Sequence, residues 1–221
     1  MKKELKKRII TSILLFSLFI FCIFINWPIY ILSIIIVSGI ALSEISNLIE
    51  LAERSTSTNT FTKKWIPFRL ISFFYIFFIF FLMAADFYNL GSVFIIYILL
   101  ICIFSDVGGY VVGKTIGGKK LTKISPNKTI SGSIGSFCFS VVPLLLFYNF
   151  DQSEYSYSFN NFLLCLEISL VCQLGDIFIS YIKRKAKVKN TGNFLPGHGG
   201  LLDRIDGIIF AIHSFGFILM V

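Results

Sequence analysis

Apolar runs close to 20 residues long recur along this chain, separated by short polar breaks. A run of that length is what a helix needs to cross about 30 Å of hydrocarbon. The pattern predicts seven spans. The first runs roughly from Ile9 to Ile25, and a turn at Asn26-Trp27-Pro28 returns the chain into a second, roughly Ile29 to Ser46. Residues 47–66 read as an amphipathic stretch and a Ser/Thr-rich loop. A third span, Pro67 to Ala85, is separated from a fourth, Val93 to Val112, by a turn at Asp86-Phe87-Tyr88-Asn89. A polar loop over 113–133 precedes the fifth span, Ile134 to Phe150; the sixth runs from Phe162 to Ile182 and the seventh from Ile205 to Val221.

Composition agrees with a membrane chain. Of 221 residues, 56% are hydrophobic and 14% charged, where a soluble domain carries about 25% charged residues. The fold class expected is therefore an all-α polytopic integral membrane protein of about seven transmembrane helices. It reads as a single membrane domain over 1–221, with residues 1–92 a scaffold and 93–221 the catalytic part. The five cysteines lie singly in apolar runs with no C-x-x-C spacing, so they read as small apolar residues. The N-terminal MKKELKKR resembles a signal peptide, but no small-x-small cleavage site follows, and an uncleaved first span is expected.

Charge sets the orientation. All 20 Lys and Arg fall in four clusters, at 2–8, 54–69, 114–128 and 183–204, and the intervening turns hold none. With seven alternating spans the four clusters share one side. The positive-inside rule makes it the cytoplasm, together with the N-terminus. The net charge of +8 thus reports topology and not a nucleic-acid partner. The expected location is the inner, cytoplasmic membrane.

Carboxylates are scarce and oddly placed. Asp106, Glu167, Asp176 and Asp206 lie within or at the ends of apolar spans, where a charge is costly and functional by default. Glu44 stands near the inner end of the second span, and Glu167 is assigned no role. Two loops could work with these acids. Residues 105–136 interleave glycines with Lys114, Lys119, Lys120, Lys123 and Lys128, and include the turn Ser125-Pro126-Asn127-Lys128-Thr129. This loop suits an anion, or is a solvated loop whose lysines serve topology. Residues 180–206, SYIKRKAKVKNTGNFLPGHGGLLDRID, place a basic cluster before a turn and then two acids. On a helix Asp176, Ser180 and Lys183/Arg184 share a face. Pro196-Gly197-His198-Gly199-Gly200 is a turn or backbone nest. His198 reads as a turn histidine or as a catalyst. The Lys183–Lys189 cluster reads as a topology anchor or as a site for anionic phospholipids. Asp176, Asp203 and Asp206 form a carboxylate set suited to Mg²⁺, and with a basic loop they suit phosphoryl or nucleotidyl transfer.

At these residues the chain resembles the phosphatidate cytidylyltransferase (CDP-diacylglycerol synthase) family. The resemblance rests on Gly175-Asp176, Ser180, Lys183-Arg184, Lys189-Asn190, Gly192, Leu195, Pro196 to Gly200, Asp203-Arg204 and Asp206. A second block comprises Asp106, Tyr110, Gly113, Gly117 and Ser125 to Thr129. It covers about residues 100–215. Asn190 stands where the family usually has Asp, and Gly109 where Ala is usual. The chain is shorter than many members, which implies a missing peripheral span.

The resemblance implies transfer of a cytidylyl group from CTP to phosphatidate, giving CDP-diacylglycerol and pyrophosphate. It implies Asp176 and Asp203, with Asp206 a weaker third, as ligands of Mg²⁺. Lys183, Arg184 and Arg204 would hold phosphates, and Ser125 and Lys128 would help bind the triphosphate or the lipid phosphate. His198 would orient a phosphate or move a proton. Ser180, Lys189, Gly197, Gly199 and Gly200 would line the substrate site. A CTP-dependent polyprenol or phytol-type kinase, or a cytidylyltransferase for another lipid phosphate, is the near alternative. A transporter or a non-catalytic scaffold is the distant one. A homodimer is left open.

Overall fold

Asn26 is followed by Trp-Pro, a sequence that starts a helix. Pro fits the first turn, where its missing N–H is no loss, and the Asn26 side chain accepts from the Ile29 N–H at 3.2 Å. Helix α1 then runs over Trp27–Ser55. The computed structural model describes residues 17–18, 20–55, 62–147, 158–195 and 199–218; within these, the side chains of 62–71, 75, 77–91 and 212–218 are left aside. Most of the expected first span and the 151–157 part of the fifth loop lie outside the described residues.

α1 passes the expected end at Ser46 because residues 47–55 contain no helix breaker. Glu50 and Arg54 also pair at i,i+4, 2.5 Å apart. α2 spans Thr62–Ile116, so the turn expected at Asp86–Asn89 is helical backbone instead. Residues 86–92 hold no proline, and a lone Gly91 costs only about 1 kcal/mol in a helix. α3 spans Ile130–Ser140 and α4 Val142–Phe147. They divide before Pro143, which cannot donate the next helical hydrogen bond. α5 covers Phe159–Lys185 and α6 Leu202–Ile218.

Among the described residues there is no strand. Four stretches are helical, long and apolar enough to cross a membrane: Trp27–Ser55, Ser92–Ile116, Ile130–Phe147 and Phe159–Lys185. The protein is thus a predominantly helical, multi-pass membrane protein.

The chain forms two units. One comprises Met1–Ser92 and Ile182–Ile205, the other Val93–Tyr181 and Asp206–Val221. In the first, α1 buries Ile34, Ala41, Ile45, Leu48, Ile49 and Ala52 along one stripe, with Glu44 on the same stripe. In the second, α2 buries Phe94, Tyr97, Ile98, Ile101 and Cys102, and α5 buries Leu164, Cys165, Ile168 and Cys172. Polar contacts stitch these faces: Tyr97 Oη to Cys165 Sγ at 3.3 Å and Ser105 Oγ to Ser169 Oγ at 2.8 Å. The cysteines are free thiols, as their scattered placement implied. α3 lies close on α2 through small residues. A methyl group on Gly113 would stand 3.0 Å from Thr129 Oγ1, and one on Gly132 would stand 2.8 Å from Gly109 O. Such close approach is how membrane helices gain contact where the hydrophobic drive is absent.

Candidate active site

In the first unit the basic segment begins where α5 ends. Lys187 adopts φ 57, a left-handed residue of the kind that closes a helix. The Val188 N–H reaches back to Lys183 O at 3.0 Å and the Lys187 N–H to Arg184 O at 3.2 Å. The chain then folds into a loop pinned by Leu195 and Gly199, which exchange both backbone hydrogen bonds at 2.9 and 3.2 Å.

Two carboxylates hold this loop from opposite sequence ends. Asp203 Oδ1 meets the Lys183 ammonium at 2.7 Å, with both side chains largely buried (10% and 13% exposed). Its Oδ2 accepts from the Thr191 N–H at 2.8 Å, the Gly200 N–H at 3.2 Å and Thr191 Oγ1 at 3.2 Å. Glu44, only 5% exposed, reaches the loop from α1. Its Oε2 accepts from Thr191 Oγ1 at 2.7 Å and the Leu202 N–H at 2.9 Å, and its Oε1 from the Leu201 N–H at 2.9 Å. The first N–H groups of α6 lack helical partners, and this carboxylate supplies one to Leu202, as it does to Leu201 just before the helix.

The glycines of the loop are there because those carboxylates fill the space a side chain would need. A Cβ on Gly192 would come within 2.8 Å of Glu44 Oε1. One on Gly200 would overlap Thr191 Oγ1 and Glu44 Oε2. Gly199 sits at φ 90, where L side chains are strained, and a Cβ there would lie 3.0 Å from Asp203 Oδ2 and 2.9 Å from Asn190 Cγ. The sequence predicted glycine backbone approaching an anion. The anions it approaches here are the protein's own Asp203 and Glu44.

In the second unit the loop after α2 closes as a small hairpin. Lys120 and Thr129 form an antiparallel bridge, with the Leu121 N–H donating to Lys128 O at 2.8 Å and the Ile130 N–H to Lys119 O at 3.0 Å. Ser125 sits in its turn, its N–H bonded to Thr122 Oγ1 and its carbonyl accepting from the Lys128 N–H, both at 3.1 Å. Thr129 caps α3 through the Gly132 N–H at 3.1 Å. The hairpin aims Lys128 at Asp176 on α5, with Nζ to Oδ2 at 2.5 Å. Ser180 Oγ, one turn on, donates to Asp176 Oδ1 at 3.3 Å. Asp106 lies within electrostatic range of both Asp176 and Lys128. Asp206, at the start of α6, accepts from the Gly207 N–H at 2.9 Å.

The same hairpin and helix, with Phe210 of α6, also build an apolar groove of about 440 Å³, lined by Ile124, Leu174, Ile177, Phe178, Tyr181 and Phe210. Phe178 and Phe210 meet edge to face across it, with centroids 5.6 Å apart.

The structure therefore brings Lys183, Asp203, Gly199 and Gly200 together in one unit, and Asp176, Ser180, Lys128 and Ser125 together in the other. Arg184, Lys189 and Arg204 lie exposed. Gly197 and His198, with Pro196, lie outside the described residues. Asp176, Asp203 and Asp206 were expected as one metal set. Among the described residues no group of three or more His, Cys, Asp or Glu converges to hold a metal. Glu44 and Thr191 were missed. The signal for Glu44 was a lone carboxylate on an otherwise apolar stripe of Ala41, Ile45 and Leu48.

The candidate site is thus a glycine loop tied to a Lys–Asp pair in a multi-pass membrane chain. The model of the cytidylyltransferase family matches residues 55–221, and the chain belongs to that family. Among individual proteins it is 37% identical over 164 residues to the phosphatidate cytidylyltransferase of Bacillus subtilis (strain 168), covering 73% of this chain and 61% of that one. It is 42% identical over 135 residues to the protein of that name from Staphylococcus aureus (strain COL), covering 59% and 50%. To that from Rickettsia bellii (strain RML369-C) it is 46% identical over 112 residues, covering 47% and 48%. The chain thus spans about half to three fifths of the length of these relatives.

Proposed function

We propose that this protein transfers the cytidylyl group of CTP to phosphatidate, forming CDP-diacylglycerol and pyrophosphate. The observation that carries the reading is the Lys183–Asp203–Thr191–Gly200 cluster. Residues spread over the family's signature are drawn into one polar assembly by contacts of 2.7–3.2 Å. The relatives named phosphatidate cytidylyltransferase supply the substrates. A phosphatidate oxygen attacks the α-phosphorus of CTP, the bond to the β-phosphate oxygen breaks, and pyrophosphate leaves. No protein nucleophile is required, because the attacking lipid phosphate is already an anion.

The chain's own residues divide the work. Asp203 fixes the Lys183 ammonium, which keeps two further protons for phosphate oxygens, and Arg184 and Arg204 add exposed guanidinium groups nearby in sequence. Lys128, held at Asp176, serves a second phosphate in the same manner, with Ser125 in its turn. The apolar groove built by the same hairpin and helix suits an acyl chain. His198 remains assigned to orienting a phosphate or moving a proton.

Mg²⁺ fits some of the expected ligands and not others. Asp176 is partly exposed, although its Oδ2 is paired with the Lys128 ammonium at 2.5 Å. Asp203 fits poorly: it is 10% exposed, and one ammonium and two backbone N–H donors already occupy most of the roughly four lone-pair sites of its carboxylate. We therefore assign Asp176 as the ligand from the expected set, since among the described residues no group of three or more His, Cys, Asp or Glu converges to hold the ion. When bound, the ion would offset charge on the triphosphate.

The orientation proposed is an N-terminus and four basic clusters in the cytoplasm, in the inner membrane of a bacterial cell, with the site facing the cytoplasm. Charge segregation supports it. The basic segment 183–189 would also attract anionic phospholipids, each Lys or Arg contributing about 1 kcal/mol near the surface. Purified protein given CTP and phosphatidate should release one pyrophosphate per lipid converted. CDP release without pyrophosphate would mean a kinase instead.

A further inference from the structure

We propose that Glu44 is a positioning residue of the transfer site, holding Thr191 and the 200–202 backbone so that the Lys183–Asp203 pair is presented in one geometry. The proposal rests on the functional reading above and extends it to a helix most of which precedes the family-matched residues 55–221.

The geometry is specific to a carboxylate. Both Glu44 oxygens receive donors: the Leu201 N–H on Oε1, and the Leu202 N–H and the Thr191 hydroxyl on Oε2. An amide in its place would turn an NH₂ group toward at least one of these donors, whichever way it faced. Shortening to Asp would withdraw the oxygens by one methylene. The contacts bridge 147 to 158 positions of sequence, so they set tertiary geometry and not a local turn.

Thr191 transmits the effect. Its hydroxyl has one proton, and Glu44 Oε2 at 2.7 Å is nearer than Asp203 Oδ2 at 3.2 Å. Its N–H meanwhile donates to Asp203 at 2.8 Å. One residue is thus tied to both carboxylates. Gly200 stands between them, its N–H on Asp203 and its α-carbon against Glu44. If Glu44 lets go, Thr191, Gly200 and the start of α6 lose their common anchor, and Asp203 loses its fixed setting beside Lys183.

A purely structural role predicts something different. A buried carboxylate that only fills space can be exchanged for a neutral side chain at little cost, or with damage spread through the unit. A positioning role predicts damage confined to the loop and to turnover.

The test uses the full chain in lipid nanodiscs, with hydrogen exchange of the amides of 199–203 and steady-state kinetics on CTP and phosphatidate. Glu44→Gln should speed exchange at Leu201 and Leu202 by about tenfold or more, the scale of a lost buried acceptor. Exchange in the middle of α1 and α5 should not change. Its kcat should fall by about tenfold or more while KM for both substrates moves by less than about threefold, the pattern of lost alignment. Thr191→Val should shift both readouts in the same direction, and Thr191→Ser should retain both. The double variant should lose no more than Glu44→Gln alone, because the two act as one unit.

Unchanged exchange at Leu201 and Leu202 would overturn the proposal. So would faster exchange throughout α1 and α5, or kinetic losses that multiply in the double variant. If Glu44→Gln does not fold, Thr191→Val against Thr191→Ser decides the matter by the same two readouts. If wild-type protein makes no lipid product from CTP and phosphatidate, the functional reading fails, while the exchange result still decides whether Glu44 holds the loop.

Discussion

A methyl group at Gly200 would collide with the Thr191 hydroxyl and with Glu44, neither of which can withdraw without breaking its hydrogen bonds. Gly200→Ala should therefore cost about 2–4 kcal/mol, the range for overpacking combined with lost buried polar contacts. Gly39, on α1, has nothing within 4 Å of where an alanine methyl would stand, so Gly39→Ala should be neutral or stabilise by up to about 1 kcal/mol. Thermal unfolding of the two variants in one detergent checks the contrast; equal effects would contradict it. These residues also show how far sequence reached. Asp203, Lys183 and the glycines stood out because charge and glycine coincide there between apolar runs, although each also had a plain reading as a topology anchor, an exposed ion pair or a turn. The identity of the bound anion did not. It comes from Glu44, whose partners lie 147 to 158 positions away, and a lone acid on an apolar stripe does not announce what it will meet.

At the scale of elements, the length of apolar runs and the polar breaks between them placed the cores of α1, α3, α5 and α6, but not their ends. α1 ran on past Ser46 because an i,i+4 ion pair and the absence of a breaker extended it. The α2–α3 contact was legible only as a glycine-rich loop read for anions. In the structure part of that glycine content serves helix packing: a methyl on Gly108 would meet Gly135 O and Phe139, and Gly109, Gly113 and Gly132 are similarly crowded. Gly108→Leu should separate α2 from α3 and lower the unfolding temperature of the second unit by several degrees, about what 1–3 kcal/mol of overpacking yields. An unchanged midpoint would mean the helices do not touch there. The rest of the glycine-lysine loop folds into the hairpin that delivers Lys128 to Asp176.

For the molecule as a whole, the membrane class followed from composition, while the number of crossings did not. Charge segregation asks for a return at 86–89, and the backbone there is helical. Cysteine labelling separates the two in intact cells, on a background with the native thiols replaced. If the chain turns at this point, Asn89→Cys should react with an impermeant maleimide from outside the cell; protection from both sides would place residue 89 within a continuous helix. The catalytic claim does not depend on that count. It depends on which phosphate of CTP reaches the lipid. The direct measurement is transfer from CTP labelled at the α- or the γ-phosphate to phosphatidate, with and without chelator. The proposed reaction predicts lipid-bound label from the α-phosphate only, loss of transfer on chelation with recovery on adding Mg²⁺, and loss in Lys183→Met. Lipid-bound label from the γ-phosphate would contradict the account.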